Sequence, residues 1–229
     1  MQRLVEGVYH FQTVGFANHR PLFERLTHVQ KPLACFITCS DSRINPNLIT
    51  STEPGDLFII RNVGNIIPAH GSDGAGESAA IEFAVEGLEV PDIIVCGHTN
   101  CGAMKGLLGS SDDLRRMPAV QRWLHHADAT GRIIEENYQH LMDNARLTAA
   151  AEVNVLVQVE HLQTLPVIAA RLNRGRLNLH AWMYKIETGE IFAYDIQQKQ
   201  FRLLTELRAA APAGTGVELA SAELERVKA

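Results

Sequence analysis

The sequence predicts an α/β protein in which helices flank a mostly parallel central sheet. Two observations lead there. Short, continuously apolar, β-rich runs occur at 33–38 (LACFIT), 56–61 (DLFIIR) and 92–97 (DIIVCG), each bounded by Pro, Gly or Asp. Such runs suit strands buried on both faces, as in a parallel sheet. Between the second and third lies GESAAIEFAVEGLEV, where Ala80, Ile81, Ala84, Val85 and Leu88 recur at helical spacing. A strand–helix–strand unit of this length calls for a parallel crossover.

The other elements follow in order. The first 28 residues read as two helical pieces, with Pro21 in the first turn of the second, where a missing N–H costs little. After the third strand a short helix runs through MKGLL, and a long helical stretch covers about 117–173, interrupted near DNARLT and by Pro166. LNLHAWMYKI (177–186) and EIFAYDI (190–196), separated by ETG, read as a hairpin. From 207 the composition turns to Ala, Gly and Ser with few aromatics, so residues 1–206 are expected to form a single domain and 207–229 a poorly ordered tail.

Composition narrows the function classes. The 229 residues suffice for one sizeable core, and 46% hydrophobic with 21% charged residues is a globular balance. A net charge of -5 without a basic run argues against nucleic acid as a partner. No apolar stretch approaches the roughly 18 residues of a membrane span, so no membrane is expected. The N-terminal stretch lacks the three regions of a signal peptide. Four cysteines without an export signal read as reduced thiols, and the expected location is cytoplasmic.

The chemistry concentrates in two short stretches, CSDSR (39–43) and GHTNCG (97–102). In open α/β sheets, ligands gather at the carboxyl ends of strands. Cys39 stands just beyond the first strand and His98 just beyond the third, with Cys101 three residues later in a Gly-flanked turn. If those strands are neighbours, two thiolates and an imidazole converge, a zinc set with a fourth position left open as in catalytic sites. Cys35 lies about 13 Å back along its strand, too far to share an ion with Cys39. Cys96 is closer and stays open as an alternative ligand. His125, His126, His161 and His180 read as surface or core residues. Asp41, two residues after Cys39, can reach the open position or a water on it, and Arg43 can clamp Asp41 bidentately and keep it ionised. The bland alternative is a turn held by an Asp–Arg pair.

CSDSR, followed by PGDLFIIRNVGN and then GHTNCGAMKG, resembles the β-class carbonic anhydrases, over most of residues 1–204. FITCSDSRINPNLIT and CGHTNCGAMKGLL look most like the plant-type and cyanobacterial carboxysomal members. The resemblance implies zinc on Cys39, His98 and Cys101, with Asp41 and Arg43 as the catalytic orienting dyad. It implies N-terminal helices that extend over a partner in a homodimer or higher homo-oligomer. The substrate pair implied is CO2 and bicarbonate, interconverted by attack of zinc hydroxide. Gln30 and Phe58 match residues that line the substrate pocket in the plant-like branch. Phe83 stands where that branch has Tyr, so a hydroxyl is missing from that wall. Gln30 and backbone N–H groups near Gly102 would hold the developing bicarbonate oxygens. Likeness to carboxysomal members also raises a location inside carboxysomes and carboxysome assembly proteins as partners.

Members whose aspartate closes onto the metal at low pH often carry a Trp three residues before the first cysteine. Phe36 stands there, so the Asp41–Arg43 pair is expected to persist. Three rivals remain. HGSDGAGESA carries a degenerate Gly74-x-Gly76-x-x-Ala79 fingerprint, but a loop of about a dozen residues separates it from the preceding strand, where a dinucleotide site needs the glycines directly after it. A non-catalytic zinc protein would have Asp41 fill the fourth position permanently. A hydrolase of CS2 or carbonyl sulfide would keep the fold and the metal.

Overall fold

The computed structural model describes residues 1–110 and 114–210. Two compact units emerge, Met1–Lys31 and a much larger one from Pro32 onward. In the first, α1 (Gln2–His10) runs through a π-helical turn at Phe11–Gly15 into α2 (Phe16–Asn18). His19 leaves helical geometry, and α3 (Arg20–Leu26) starts with Pro21 in its first turn, giving the two expected helical pieces. Phe11, Phe16 and Phe23 cluster, with Phe16 and Phe23 stacked at 5.4 Å between ring centroids. Leu4, Val5, Val8 and Tyr9 on α1 are all more than half exposed.

The larger unit is built on one six-stranded sheet in the order β2-β1-β3-β4-β5-β6. The strands are β1 (Ala34–Cys39), β2 (Leu57–Asn62), β3 (Asp92–His98), β4 (Asn178–Tyr184), β5 (Ile191–Asp195) and β6 (Gln200–Leu203). The first four in that order are mutually parallel, and β5 and β6 add as an antiparallel edge. The apolar run of β1 follows from its central position. Cys35, Ile37 and Cys39 join the large core, while Ala34 and Phe36 join a smaller cluster with Ile94 and Cys96. A strand with both faces covered cannot alternate with polar residues.

Helices fill the connections: α4 (Pro46–Thr50) after β1, and α5 (Ala75–Glu82), prolonged by a π turn at Phe83–Gly87, between β2 and β3. Because β1 lies between β2 and β3, this crossover spans a strand. The 63–74 loop precedes α5, as the argument against a dinucleotide fingerprint requires. Next come α6 (Gly102–Leu108), α7 (Pro118–Leu124) and α8 (Asp128–Asn137), then α9 (Asp143–Thr164) and α10 (Pro166–Asn173). The expected break near DNARLT falls earlier, at 138–142, because Tyr138 departs from helical backbone and DNARLT itself opens α9. Pro166 does divide the stretch, since Leu165 is extended and the proline starts α10.

The long helix α9 packs across β3 and β4. Gly97 permits it: a Cβ there would stand 2.6 Å from Val155 Cγ2 and 2.9 Å from Met183 Sδ. The ETG hairpin joins β4 to β5 with Gly189 at φ 76. Sequence periodicity did not reveal β6, which pairs with β5 across a turn containing Lys199 at φ 52. The chain continues into α11 (Leu204–Ala210). Residues 207–210 of the tail predicted over 207–229 belong to α11, and 211–229 lie outside the described residues.

Candidate metal centre

Strand pairing brings the two chemistry-bearing stretches together. β1 and β3 are parallel neighbours, so Cys39 and His98 end adjacent strands at the same edge of the sheet. Asn100, at φ 55, then turns the chain back and delivers Cys101 to the start of α6. Asn tolerates this left-handed conformation better than most residues with a side chain. The ligand atoms of Cys39, His98 and Cys101 all lie within 4.8 Å of one another, and all three residues are buried. No other such group occurs among the described residues. Cys96, the alternative ligand, is fully buried and outside the cluster, and burial pushes its thiol up to about 12. Cys35 is equally buried, with its thiol likewise raised to about 12.

The donor set fits a zinc ion. His98 Nδ1 bonds the Thr99 carbonyl at 2.8 Å. That bond makes Nδ1 the donor and leaves the Nε2 lone pair aimed elsewhere. Nε2 is buried and has no hydrogen-bond partner, a costly arrangement unless a cation takes it up. Of the two thiols, Cys39 is drawn well below its ordinary value, chiefly by a hydrogen bond from Cys101, with help from the Gly64 N–H. Cys101 is correspondingly pushed up by its bond to Cys39 and by burial. Two thiolates would balance a divalent charge, and two sulfurs with one imidazole leave one tetrahedral position open.

A second layer fixes the cysteines. Gly64 donates its N–H to Cys39 Sγ at 3.4 Å. At φ 84 it occupies a backbone region that disfavours side chains, and a Cβ would meet Ala103 Cβ at 2.8 Å. The loop carrying Gly64 hangs on buried amides of α9: Asn154 Nδ2 donates to Gly64 O at 2.9 Å, and Gln158 Oε1 accepts from Ile67 N at 2.7 Å. Arg61 donates to the carbonyls of Cys39 and Asp41, pinning the CSDSR turn. None of these partners was singled out from sequence. The glycine in RNVGN was the available signal, whereas polar residues within an Ala-rich helix look like a solvated face.

Asp41 and Arg43 meet as expected. Arg43 donates Nε and its backbone N–H to Asp41 Oδ1, at 2.9 and 3.0 Å, and Nη2 to Oδ2 at 2.7 Å. These bonds hold the carboxyl well below the usual carboxylate range. Arg43 Nη2 also donates to the Asn100 carbonyl at 3.1 Å, tying the pair to the turn between His98 and Cys101. The remaining candidates are spread out. Gly102 is the exposed first residue of α6, with open space where a Cβ would stand. Phe58 pairs in register with Cys35, four residues before the strand end, and packs near Phe83 at 6.0 Å between centroids. Phe83 is half exposed. Gln30 belongs to the N-terminal unit and is exposed.

Comparison with known proteins agrees with the geometry. A family model described as carbonic anhydrase matches residues 34–191. A carbonic anhydrase of Synechocystis sp. is 52% identical over 195 residues, covering 85% of this chain and 71% of the relative. The solved β-carbonic anhydrase CcaA superposes with a TM-score of 0.87 at 51% identity, covering 89% of this chain and 91% of that one. A tetrameric β-carbonic anhydrase of Sordaria macrospora has a TM-score of 0.76 at 26% identity, covering 84% and 95%. The chain belongs to the β-class carbonic anhydrase family.

Proposed function

We propose that Cys39, His98 and Cys101 hold a zinc ion and that the chain catalyses the reversible hydration of CO2 to bicarbonate and a proton. The observation that carries this reading is the convergence of the three donors, with His98 Nε2 unpartnered, beside an aspartate already gripped by arginine. When bound, zinc supplies the Lewis acidity that brings the pKa of a coordinated water to about 7. Asp41, kept ionised by Arg43, is an acceptor only. It takes the hydrogen bond from the nucleophilic water and thereby aims a lone pair at the carbon. Arg43 restrains the carboxylate through both oxygens, so the acceptor needs no reorganisation as charge develops. The Gly102 N–H is assigned to an oxygen of the forming bicarbonate, and the paired rings of Phe58 and Phe83 to the apolar wall.

The exposed apolar side chains of α1 support a homo-oligomer. Four free cysteines suit a reducing, cytoplasmic setting, and no helix among the described residues is long and apolar enough to cross a membrane. A place inside carboxysomes rests on sequence resemblance alone. Stopped-flow assay of the zinc-loaded protein against CO2, carbonyl sulfide and CS2 tests the function. Rapid CO2 hydration that is lost on chelation is expected. Turnover of only the sulfur substrates, or of none, would overturn the assignment.

A further inference from the structure

Only Thr99 and Asn100 separate His98 from Cys101, so their conformation sets the distance between two of the three donors. The turn places Asn100 in the left-handed region, at φ 55, which few residues with a side chain adopt. Both of its side chains are held by one carboxylate on another element. Thr99 Oγ1 donates to Glu187 Oε2 at 2.7 Å, and Asn100 Nδ2 donates to Glu187 Oε1. Glu187 sits in the turn between β4 and β5, and that turn grips the loop elsewhere too. Ile186 N donates to Thr99 Oγ1 at 3.1 Å, and Thr99 N donates to Tyr184 O at 3.0 Å. On the opposite side the Asn100 carbonyl accepts from Arg43 Nη2 at 3.1 Å, the same nitrogen that holds Asp41.

We propose that Glu187 is a positioning residue of the metal centre, clasping Thr99 and Asn100 so that His98, Cys101 and the Asp41–Arg43 pair keep their mutual geometry. It contacts no ligand atom and no substrate in this role. Bonds to an ionised acceptor are stronger than neutral ones, and two from one carboxylate fix both the position and the rotation of a two-residue turn. The hairpin thereby becomes part of the site although it is distant in sequence. This inference rests on the zinc reading above.

The test compares wild type, Glu187→Ala and Glu187→Gln in three readouts: thermal midpoint of the metal-free protein, rate of zinc transfer to a chelator, and the thiolate-to-cobalt absorption bands of Co(II)-loaded protein. Outer-shell partners of metal ligands are worth about ten- to a hundred-fold in metal affinity or activity. Glu187→Ala is therefore expected to lose zinc at least about tenfold faster and to show altered cobalt bands, with a nearly unchanged metal-free midpoint because Glu187 is exposed. Glu187→Gln should recover part of the retention, since its oxygen can accept from Thr99 and its amide can donate to a rotated Asn100. Zinc retention and cobalt bands matching wild type in Glu187→Ala would overturn the proposal. So would a large fall in the metal-free midpoint that alone accounts for the zinc loss. A wild type that takes up no zinc would overturn the zinc reading and this inference together, and because wild type is measured in the same series the two failures are distinguishable.

Discussion

Replacing Asn154 by Leu should destabilise the protein and loosen the loop that contacts Cys39. Asn154 is 1% exposed and Gln158 is fully buried. The Asn154 amide donates to Gly64 O at 2.9 Å and accepts from Gln158 Nε2 at 2.9 Å and from Thr130 Oγ1 at 3.4 Å. Leucine has a similar volume and removes all three partners. Thr130 lies within α8 and can turn its hydroxyl to a carbonyl of the preceding turn, so its loss is cheap. Gly64 O and Gln158 Nε2 have no such recourse. An orphaned buried polar group costs about 1–3 kcal/mol, so the pair should cost about 2–6 kcal/mol. At roughly 2–4 °C per kcal/mol for a domain of this size, the thermal midpoint should fall by roughly 4 °C at the least and about 24 °C at the most. Urea unfolding and thermal scans at fixed protein and zinc concentration measure it, since binding and assembly also shift apparent stability. A double change to Leu at 154 and Gln158 should cost less than the sum of the single changes, because neither amide is then left facing the other. An Asn154→Leu midpoint within a degree or two of wild type would refute the reasoning.

Asp41→Asn should retain zinc but hydrate CO2 far more slowly, by about a hundredfold if the carboxylate's hydrogen bond orients the nucleophile; equal stopped-flow rates would remove it from the chemistry. In that variant Arg43 Nη2, now 2.7 Å from Asp41 Oδ2, would face either an uncharged oxygen or an amide N–H. Cys101→Ala should lose nearly all zinc by metal analysis while Cys96→Ala keeps it, and the reverse pattern would move the ligand to Cys96. Asp92 accepts from His180 Nε2 at 2.7 Å and from Asn178 Nδ2 at 3.1 Å, and the His180 bond is the main cause of its lowered pKa. A carboxyl depressed on folding contributes stability that is complete above its unfolded pKa of about 4 and lost as pH falls through the lower folded value. The urea-midpoint advantage of wild type over Asp92→Asn should therefore hold from pH 6 to 5 and shrink below about pH 4. An advantage that grows on acidification would contradict that sign.

The centre of the fold was readable because burial leaves a local mark. β1 and β3, covered on both faces, are apolar along most of their length, and the residues at their carboxyl ends carry the chemistry. The sequence alone thus points Cys39, His98 and Cys101 to one sheet edge if β1 and β3 are neighbours. The edge was harder. β6 (QFRL) is short and half polar, and its pairing depends on a turn with a positive-φ lysine that sequence periodicity does not flag. The helix break at 138–142 carries neither Gly nor Pro, the usual punctuation. The supports of the site were hidden for a different reason. Glu187, Asn154 and Gln158 reach it across 87, 90 and 91 residues of sequence, respectively. Only three-dimensional packing distinguishes them from ordinary polar residues.

X-ray absorption at the zinc edge of the loaded wild-type protein reads the donor set directly. The expected first shell holds two sulfurs at about 2.3 Å and two lighter donors at about 2.0–2.2 Å, one of them an imidazole nitrogen. Three or more sulfurs, or none, would contradict a centre built from Cys39, His98 and Cys101 with one position open to exchange.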